Sequence, residues 1–411
     1  MRELSDITRI GAWGLPLLAL IVVLGASLSI IPKDADAVPS HSRQTGQPCS
    51  ACHTQPPRLT EFGREFQISG YTMGAEPELE QANIFENMPI SGRLRGDIDY
   101  NEEDESEVRP KKPDVRLYFS GRLTDHVGLY TRLDSDGIDD AKVTIADEFG
   151  DYTLGFAGGN VGFGRADPYD TLGRGGGFQL QRNLAIDAGR ADLRGAALRN
   201  RGTGGTAYLH GNNIYLAAGA YDLTGDEGEL EDFGVRAAYE LPFADSHVGV
   251  HWLTAEEDYE GSDGLDDGSR VGLDAAAQWS LNEDWLADVQ GVVVYNEQEI
   301  RGDTEAAADT DLGEDYDVDH WGWSISTALH RGPWAYGVNF GQYIYDDDYY
   351  VEDDGLVESP EVTSVNPFIS WMFAENARLG VDVEYLDNEI PGFEEGEFDY
   401  TRARIRYDIG F

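Results

Sequence analysis

The chain has 411 residues, with 77 acidic against 30 basic side chains and a formal net charge of −47. That balance excludes a general nucleic-acid binder, which needs cations against phosphate. It fits a hydrated, salt-adapted or cation-attracting surface.

The first element is a secretory signal. Arg2 and Arg9 precede an apolar run from Gly11 to Ile31, and Ala35-Asp36-Ala37 supplies small residues at the spacing a signal peptidase reads. This assigns residues 1–37 as a signal peptide and leaves Val38 as the new N-terminus; an uncleaved anchor is the alternative. Past this segment charges are too frequent for a helical membrane span.

The only cysteines lie in Cys49-Ser50-Ala51-Cys52-His53. An exported pair could close a disulfide, but C-x-x-C-H is the attachment signature of c-type haem. Two thiols at this spacing can add to the two vinyl groups on one porphyrin edge, which places His53 as the proximal iron ligand. A redox dithiol would need no histidine there, and a zinc site would need more ligands nearby. The sixth-ligand candidates are His41, Met73 and Met88. Leu59, Phe62 and Phe66 recur at helical spacing, with Thr60 as the starting cap and Gly70 at the end. Such a helix would cover one haem face and deliver Met73, the candidate distal ligand, to the other; gap-filling core is the alternative role for Met73. These features define a small, mostly helical haem c domain over 38–88.

From residue 89 to 411 the period changes to two. In the last segment Thr401, Ala403, Ile405, Tyr407, Ile409 and Phe411 share one face, against Arg402, Arg404, Arg406, Asp408 and Gly410. Segments 285–295, 320–330 and 377–387 repeat the pattern, with aromatics near their ends. About sixteen such strands can be counted, joined by alternately short and long connections, the pattern of a transmembrane antiparallel β-barrel. A soluble sandwich or propeller also alternates, but gives no reason for aromatic ends, and no 40-residue repeat suggests blades. An even strand number returns both ends to the periplasmic side.

The long connections hold most of the acid, as in Glu102-Glu103-Asp104-Glu105 and Asp346-Asp347-Asp348. They read as a hydrated outer surface, or as a means of concentrating metal cations. Arg93, Arg95, Arg402, Arg404 and Arg406 fall on inward faces of the first and last strands, which are neighbours once a barrel closes. Sequence reads there either one positive wall, suited to an acidic plug, haem propionates or a passing anion, or an ordinary porin-like charge ladder.

The run Pro39-Ser40-His41-Ser42-Arg43-Gln44-Thr45-Gly46, then Cys49 to His53, then Leu59-Thr60-Glu61-Phe62-Gly63-Arg64-Glu65-Phe66 and Gly70-Tyr71-Thr72-Met73 resembles the N-terminus of the fused outer-membrane cytochrome–porins of iron-oxidising bacteria and their relatives. The match is close over the N-terminal segment and architectural beyond it. His41-Ser42 and Gln55-Pro56-Pro57-Arg58 depart from the usual stretches. The resemblance implies one covalent haem c, with Cys49 and Cys52 as thioether attachments and His53 as axial ligand. It also implies an outer-membrane location with lipid around the barrel, electrons taken from extracellular Fe(II) or another donor, and a soluble periplasmic cytochrome as acceptor. Such an electron-transfer protein, of the iron:cytochrome c oxidoreductase type, needs no general base or nucleophile, and no catalytic residue is assigned. The alternatives are a solute porin whose haem domain gates or senses, and a soluble exported haem protein.

Overall fold

The computed structural model describes residues 40–55, 58–74, 89–101, 108–135, 137–160, 162–169, 171, 203–222, 230, 232–258, 265–300, 316–345, 349–351, 355–357, 361–388 and 400–411. Residues 37–411 form one compact unit. The signal segment, Met88 and the two acidic connections quoted above lie outside the described residues.

Sixteen long strands close into one antiparallel barrel. The first eight are β1 (Ile90–Asn101), β2 (Asp114–Arg122), β3 (Val127–Asp134), β4 (Gly137–Phe149), β5 (Tyr152–Asn160), β6 (Thr203–Gly211), β7 (Ile214–Asp222) and β8 (Asp232–Leu241). The second eight are β9 (Asp245–Asp258), β10 (Leu265–Ser280), β11 (Trp285–Ile300), β12 (Tyr316–Arg331), β13 (Trp334–Tyr345), β14 (Glu361–Ala374), β15 (Ala377–Asn388) and β16 (Tyr400–Gly410). Each pairs with its neighbours in sequence, and β16 closes on β1. The backbone N–H groups of Gly92 and Phe411 each donate to the other residue's carbonyl oxygen, at 2.6 and 2.9 Å, so both barrel ends meet at the short-turn rim. Closure abolishes sheet edges, which lipid does not tolerate, and a soluble sandwich is thereby set aside.

Register follows the alternation read from sequence. On β12 Trp321 and Ile325 face outward while Ser324 and Ser326 are buried inside. On β15 Val383 and Tyr385 face outward while Arg378, Asp382 and Glu384 are buried. The outer wall is a belt of Val, Leu, Ile and Phe. Phe149, Tyr152, Phe243, Trp279, Tyr336 and Phe411 are exposed near the short turns, and Trp252, Trp321 and Tyr385 are exposed farther up. The two rows are roughly 20–25 Å apart in height at ~3.3 Å per residue on tilted strands, close to the apolar band of a membrane barrel.

Several connections expected to be irregular are partly ordered. A short strand, Val108–Pro110, pairs with β1 inside the 101–112 connection. The 135–140 connection shrinks to a tight turn, because β4 already begins at Gly137. Residues Tyr349–Val351 and Gly355–Val357 form a hairpin of their own. β10, β11 and β12 each run 16 residues, beyond the ~10 needed to span, so their ends project past the bilayer on the long-loop side.

Candidate functional site

The N-terminal segment folds inside the barrel. It carries α1 (Ser40–Thr45), α2 (Cys49–Cys52) and α3 (Glu61–Ile68), with a minimal ladder pairing His53 to Leu59. The cap read from sequence is present: the Thr60 hydroxyl accepts from the Gly63 N–H at 3.2 Å and donates to the Ala51 carbonyl at 2.5 Å. Thr60 thus starts α3 and ties it to α2. Gly63 is dictated by packing, since a Cβ there would lie 2.3 Å from the Cys52 carbonyl oxygen. At the other end Gly70 turns the chain with φ +71°, and its carbonyl lies so close to Gly128 of β3 that a Cβ on Gly128 would collide with it.

The segment crosses the lumen. At one side the Ser40 hydroxyl meets that of Ser120 at 3.1 Å, and the Gln44 side-chain oxygen accepts from the Arg122 N–H at 3.0 Å, both on β2. At the other side the Thr54 hydroxyl hydrogen-bonds the Gln278 side-chain amide of β10, and Arg58 pairs with Asp288 of β11 at 3.1 Å. β2 and β10 are eight strands apart in a ring of sixteen, hence opposite walls. Arg64, on the buried face of α3, pairs with Asp245, whose other carboxylate oxygen accepts from the Glu61 N–H at 3.0 Å. Burial works against the Arg64 charge, but Asp245 and Glu240 outweigh it and hold the guanidinium above its ordinary pKa. All these wall contacts lie near the short turns, so the segment sits at that end of the lumen.

Cys49 and Cys52 are three residues apart on one helical turn, which puts both thiols on one side. Both are half-buried and neither is in a disulfide. Burial, and then the Glu375 carboxylate in the β14–β15 turn, pushes the Cys49 thiol up; burial, and then Cys49, does the same for Cys52. Reactive redox dithiols are shifted the opposite way. His53 follows directly, in extended backbone with φ −132°, and its N–H donates to the Cys49 carbonyl. Two thiols on one side of a turn followed by an imidazole are a donor set that suits covalent haem.

Of the distal candidates, Met73 lies against the end of α1. Its carbonyl oxygen accepts from the Gln44 amide at 2.8 Å, and a Cβ on the following Gly74 would lie 2.4 Å from the Gln44 carbonyl oxygen. α1 ends four residues before Cys49, and the described contacts of Met73 are with α1. His41 is engaged differently: its ring stacks on Tyr71 at 5.3 Å and meets Phe66 edge-on at 4.9 Å. Among the described residues no group of three or more His, Cys, Asp or Glu is arranged as a metal site.

The described start of the connection after β5 also folds inward. Its helix α4 (Gly162–Ala166) leads to Asp167, Tyr169 and Thr171, all buried. Arg236 of β8 pairs with Asp167 at 2.7 Å and with Asp274 of β10 at 2.6 Å, and Thr171 donates to Asp274 at 2.6 Å. Gln67 of α3 donates to the Asp167 carbonyl at 3.2 Å, so this loop rests on the N-terminal segment. Ile68, Ala166 and Tyr169 share a small apolar core with Ala157, Tyr208, Tyr215, Ala217 and Ala238 of the wall. His247 and His251, four residues apart on the inner face of β9, flank Asp274 at 3.4 and 3.7 Å. Sequence reading passed over Arg236, Asp274 and this histidine pair; the available signal was two histidines on the same polar face of one strand.

The wall read as positive is mostly an ion-pair ladder. Arg93 pairs with Asp408, Arg402 with Asp99 at 2.7 Å, Arg404 with Asp382 at 2.8 Å and Arg406 with Asp97 at 2.6 Å. The inward alternation was right, and of the two readings of these arginines the charge ladder is the one seen, because acidic positions on adjacent strands come level with them.

No family model matches the chain, and no curated protein does. Among solved structures it is similar to the outer-membrane-expressed OmpT of Vibrio cholerae, at 12% identity and TM-score 0.50, covering 78% of this chain and 97% of that one. A loop L8 deletion mutant of the same OmpT gives the same identity and TM-score, over 78% and 98%. An anion-selective porin from Comamonas acidovorans follows at 12% identity and TM-score 0.49, over 78% and 98%. At this identity the likeness shows the fold: a closed sixteen-strand barrel of the outer-membrane porin type.

Proposed function

We propose that the chain is an outer-membrane electron conduit. One haem c, attached through Cys49 and Cys52 with His53 on the iron, takes electrons from an extracellular donor, foremost Fe(II), and a soluble periplasmic cytochrome removes them. The observation that carries this reading is the position of the Cys49–His53 run: inside a closed barrel, at the short-turn end of its lumen, on a segment fixed to opposite walls. In outer-membrane barrels the short turns face the periplasm, so a carrier on that side would meet the segment directly. The haem supplies one-electron chemistry at a potential set by its axial ligands and surroundings. The chain supplies two anchors, an imidazole, Met73 as the candidate second ligand, and a lumen wall that limits solvent.

The second reading is a solute porin with a gating or sensing haem segment, which the barrel likeness favours. The described inserts reach from β2 across to β10 and against β8, so a diffusing solute would have to pass beside them.

The test is spectroscopic. Purified protein in liposomes, expressed with haem-ligation machinery, should show a covalent haem band that Fe(II) added outside reduces, and that a periplasmic c-type cytochrome added as acceptor re-oxidises. A haem that Fe(II) leaves oxidised at the pH of the habitat removes the Fe(II) assignment. Rapid uptake of sugars or amino acids by the same liposomes favours the porin.

A further inference from the structure

The ladder of β15, β16, β1 and β2 does not balance at one level. Asp408 is shared by Arg93 and by Arg378, the latter at 3.5 Å. Asp97 is occupied by Arg406 through two hydrogen bonds of 2.6 and 2.9 Å. Arg95 lies between them. The residues directly across from it are Asp114 on β2 and Asp408 on β16. Asp114 is held by Arg116 at 2.6 Å, and Asp408 by the two arginines just named. The Nε of Arg95 is buried and meets no acceptor among the described residues. Arg95 thus faces carboxylates that other arginines already hold, in a partly dehydrated lumen where uncompensated charge is costly.

The attachment segment lies beside this wall. Arg43 of α1 donates to the Ile90 carbonyl at the foot of β1. Cys49 is close enough to Glu375 to feel its charge, and Glu375 is in the turn that leads into Arg378.

We propose that Arg95, with Arg93, Arg378 and Arg406, is a carboxylate-binding site, and that the carboxylates it takes are the two propionates of the haem attached at Cys49 and Cys52. The inference rests on the haem reading above. A cation whose neighbouring carboxylates are already engaged suits a carboxylate brought in by a bound group, and guanidinium groups pair with carboxylates in planar, two-bond geometry. The site would fix haem orientation and, by placing positive charge beside the porphyrin, favour the reduced iron.

The experiment compares the haem-loaded wild type with Arg95→Leu and Arg95→Lys. Pyridine haemochrome absorbance gives haem per chain, and spectroelectrochemical titration gives the midpoint. Full haem content in all three is expected, with the midpoint of Arg95→Leu lowered so that the reduced-to-oxidised ratio at fixed poise falls about three- to tenfold, a tenfold change being ~59 mV for one electron. Arg95→Lys should recover most of the shift. An unchanged midpoint in Arg95→Leu overturns the proposal. If the midpoint holds while succinate uptake by liposomes collapses, the site serves a diffusing carboxylate, and the proposal is equally overturned. A colourless wild type would sink the haem reading itself, and is recognised before any variant is compared.

Discussion

Two walls of the lumen carry buried ion pairs, and they use them differently. On the β8–β11 side the pairs tie inserts to the wall: Arg58 to Asp288, Arg64 to Asp245, and Arg236 to Asp167, with Arg236 also reaching Asp274 on the wall itself. On the β15–β16–β1 side the ladder pairs join wall to wall: Arg404 to Asp382, Arg406 to Asp97, Arg402 to Asp99. The first wall is complete only with the N-terminal segment and the loop in place. The second stands by itself. Similar side chains therefore act as latches on one side and as stiffening on the other.

The strongest way to break this contrast is Arg236→Leu. Arg236, Asp167 and Asp274 are essentially without solvent exposure, so the change leaves two buried carboxylates around an apolar side chain. Removing one member of a buried pair costs roughly 3–5 kcal/mol. Urea titration in detergent micelles, followed by tryptophan fluorescence, should show that loss, and planar-bilayer conductance should rise as the loop leaves the lumen. Arg404→Leu on the other wall should cost clearly less, because Asp382 keeps the Asn366 amide as a donor, at 3.3 Å, and has Arg378 nearby. Equal losses at the two positions would erase the distinction between the walls.

The walls were legible in sequence to different depths. The strands were readable because a side chain on a strand has only two directions to take: the hydrophobic faces of β12, β15 and β16 and the number of strands follow from alternation alone. The Cys-x-x-Cys-His run was equally plain, since Cys49, Cys52 and His53 are close in the chain. The latches were not legible. Arg58 and Asp288, or Arg236 and Asp167, meet only after the barrel has closed and both inserts have entered it, and nothing local marks the partners. Thr60 and Gly70 were readable because helix caps are local; Gly63 was not singled out because its cause is the Cys52 carbonyl across a turn.

Arg58→Met probes a single latch. Asp288, left without its cation, should cost roughly 3–5 kcal/mol, whereas Arg58→Met combined with Asp288→Leu removes both charges and should recover most of the loss. The two variants separate the energetic worth of the pair from its positional role. If the latch also positions the segment, both should increase bilayer conductance and protease cleavage near residue 58, even where the double variant is stable. A double variant as closed as wild type would mean that the remaining contacts, Arg64 to Asp245 among them, seat the segment unaided.

The smallest effect expected is at Thr60. Its hydroxyl caps α3 and bonds the Ala51 carbonyl, so Thr60→Ala removes a cap worth ~1 kcal/mol together with the tie between α3 and the cysteine turn. Whole-barrel stability, dominated by the strand ladder, should barely move. The yield of covalently attached haem per chain should fall, because the cysteine turn loses its brace before the segment is seated. Thr60→Ser keeps the hydroxyl and should restore that yield. A global loss of stability in Thr60→Ala with unchanged haem yield would place Thr60 in the barrel's own scaffold and remove the separation between wall and insert on which the contrast of the two sides depends.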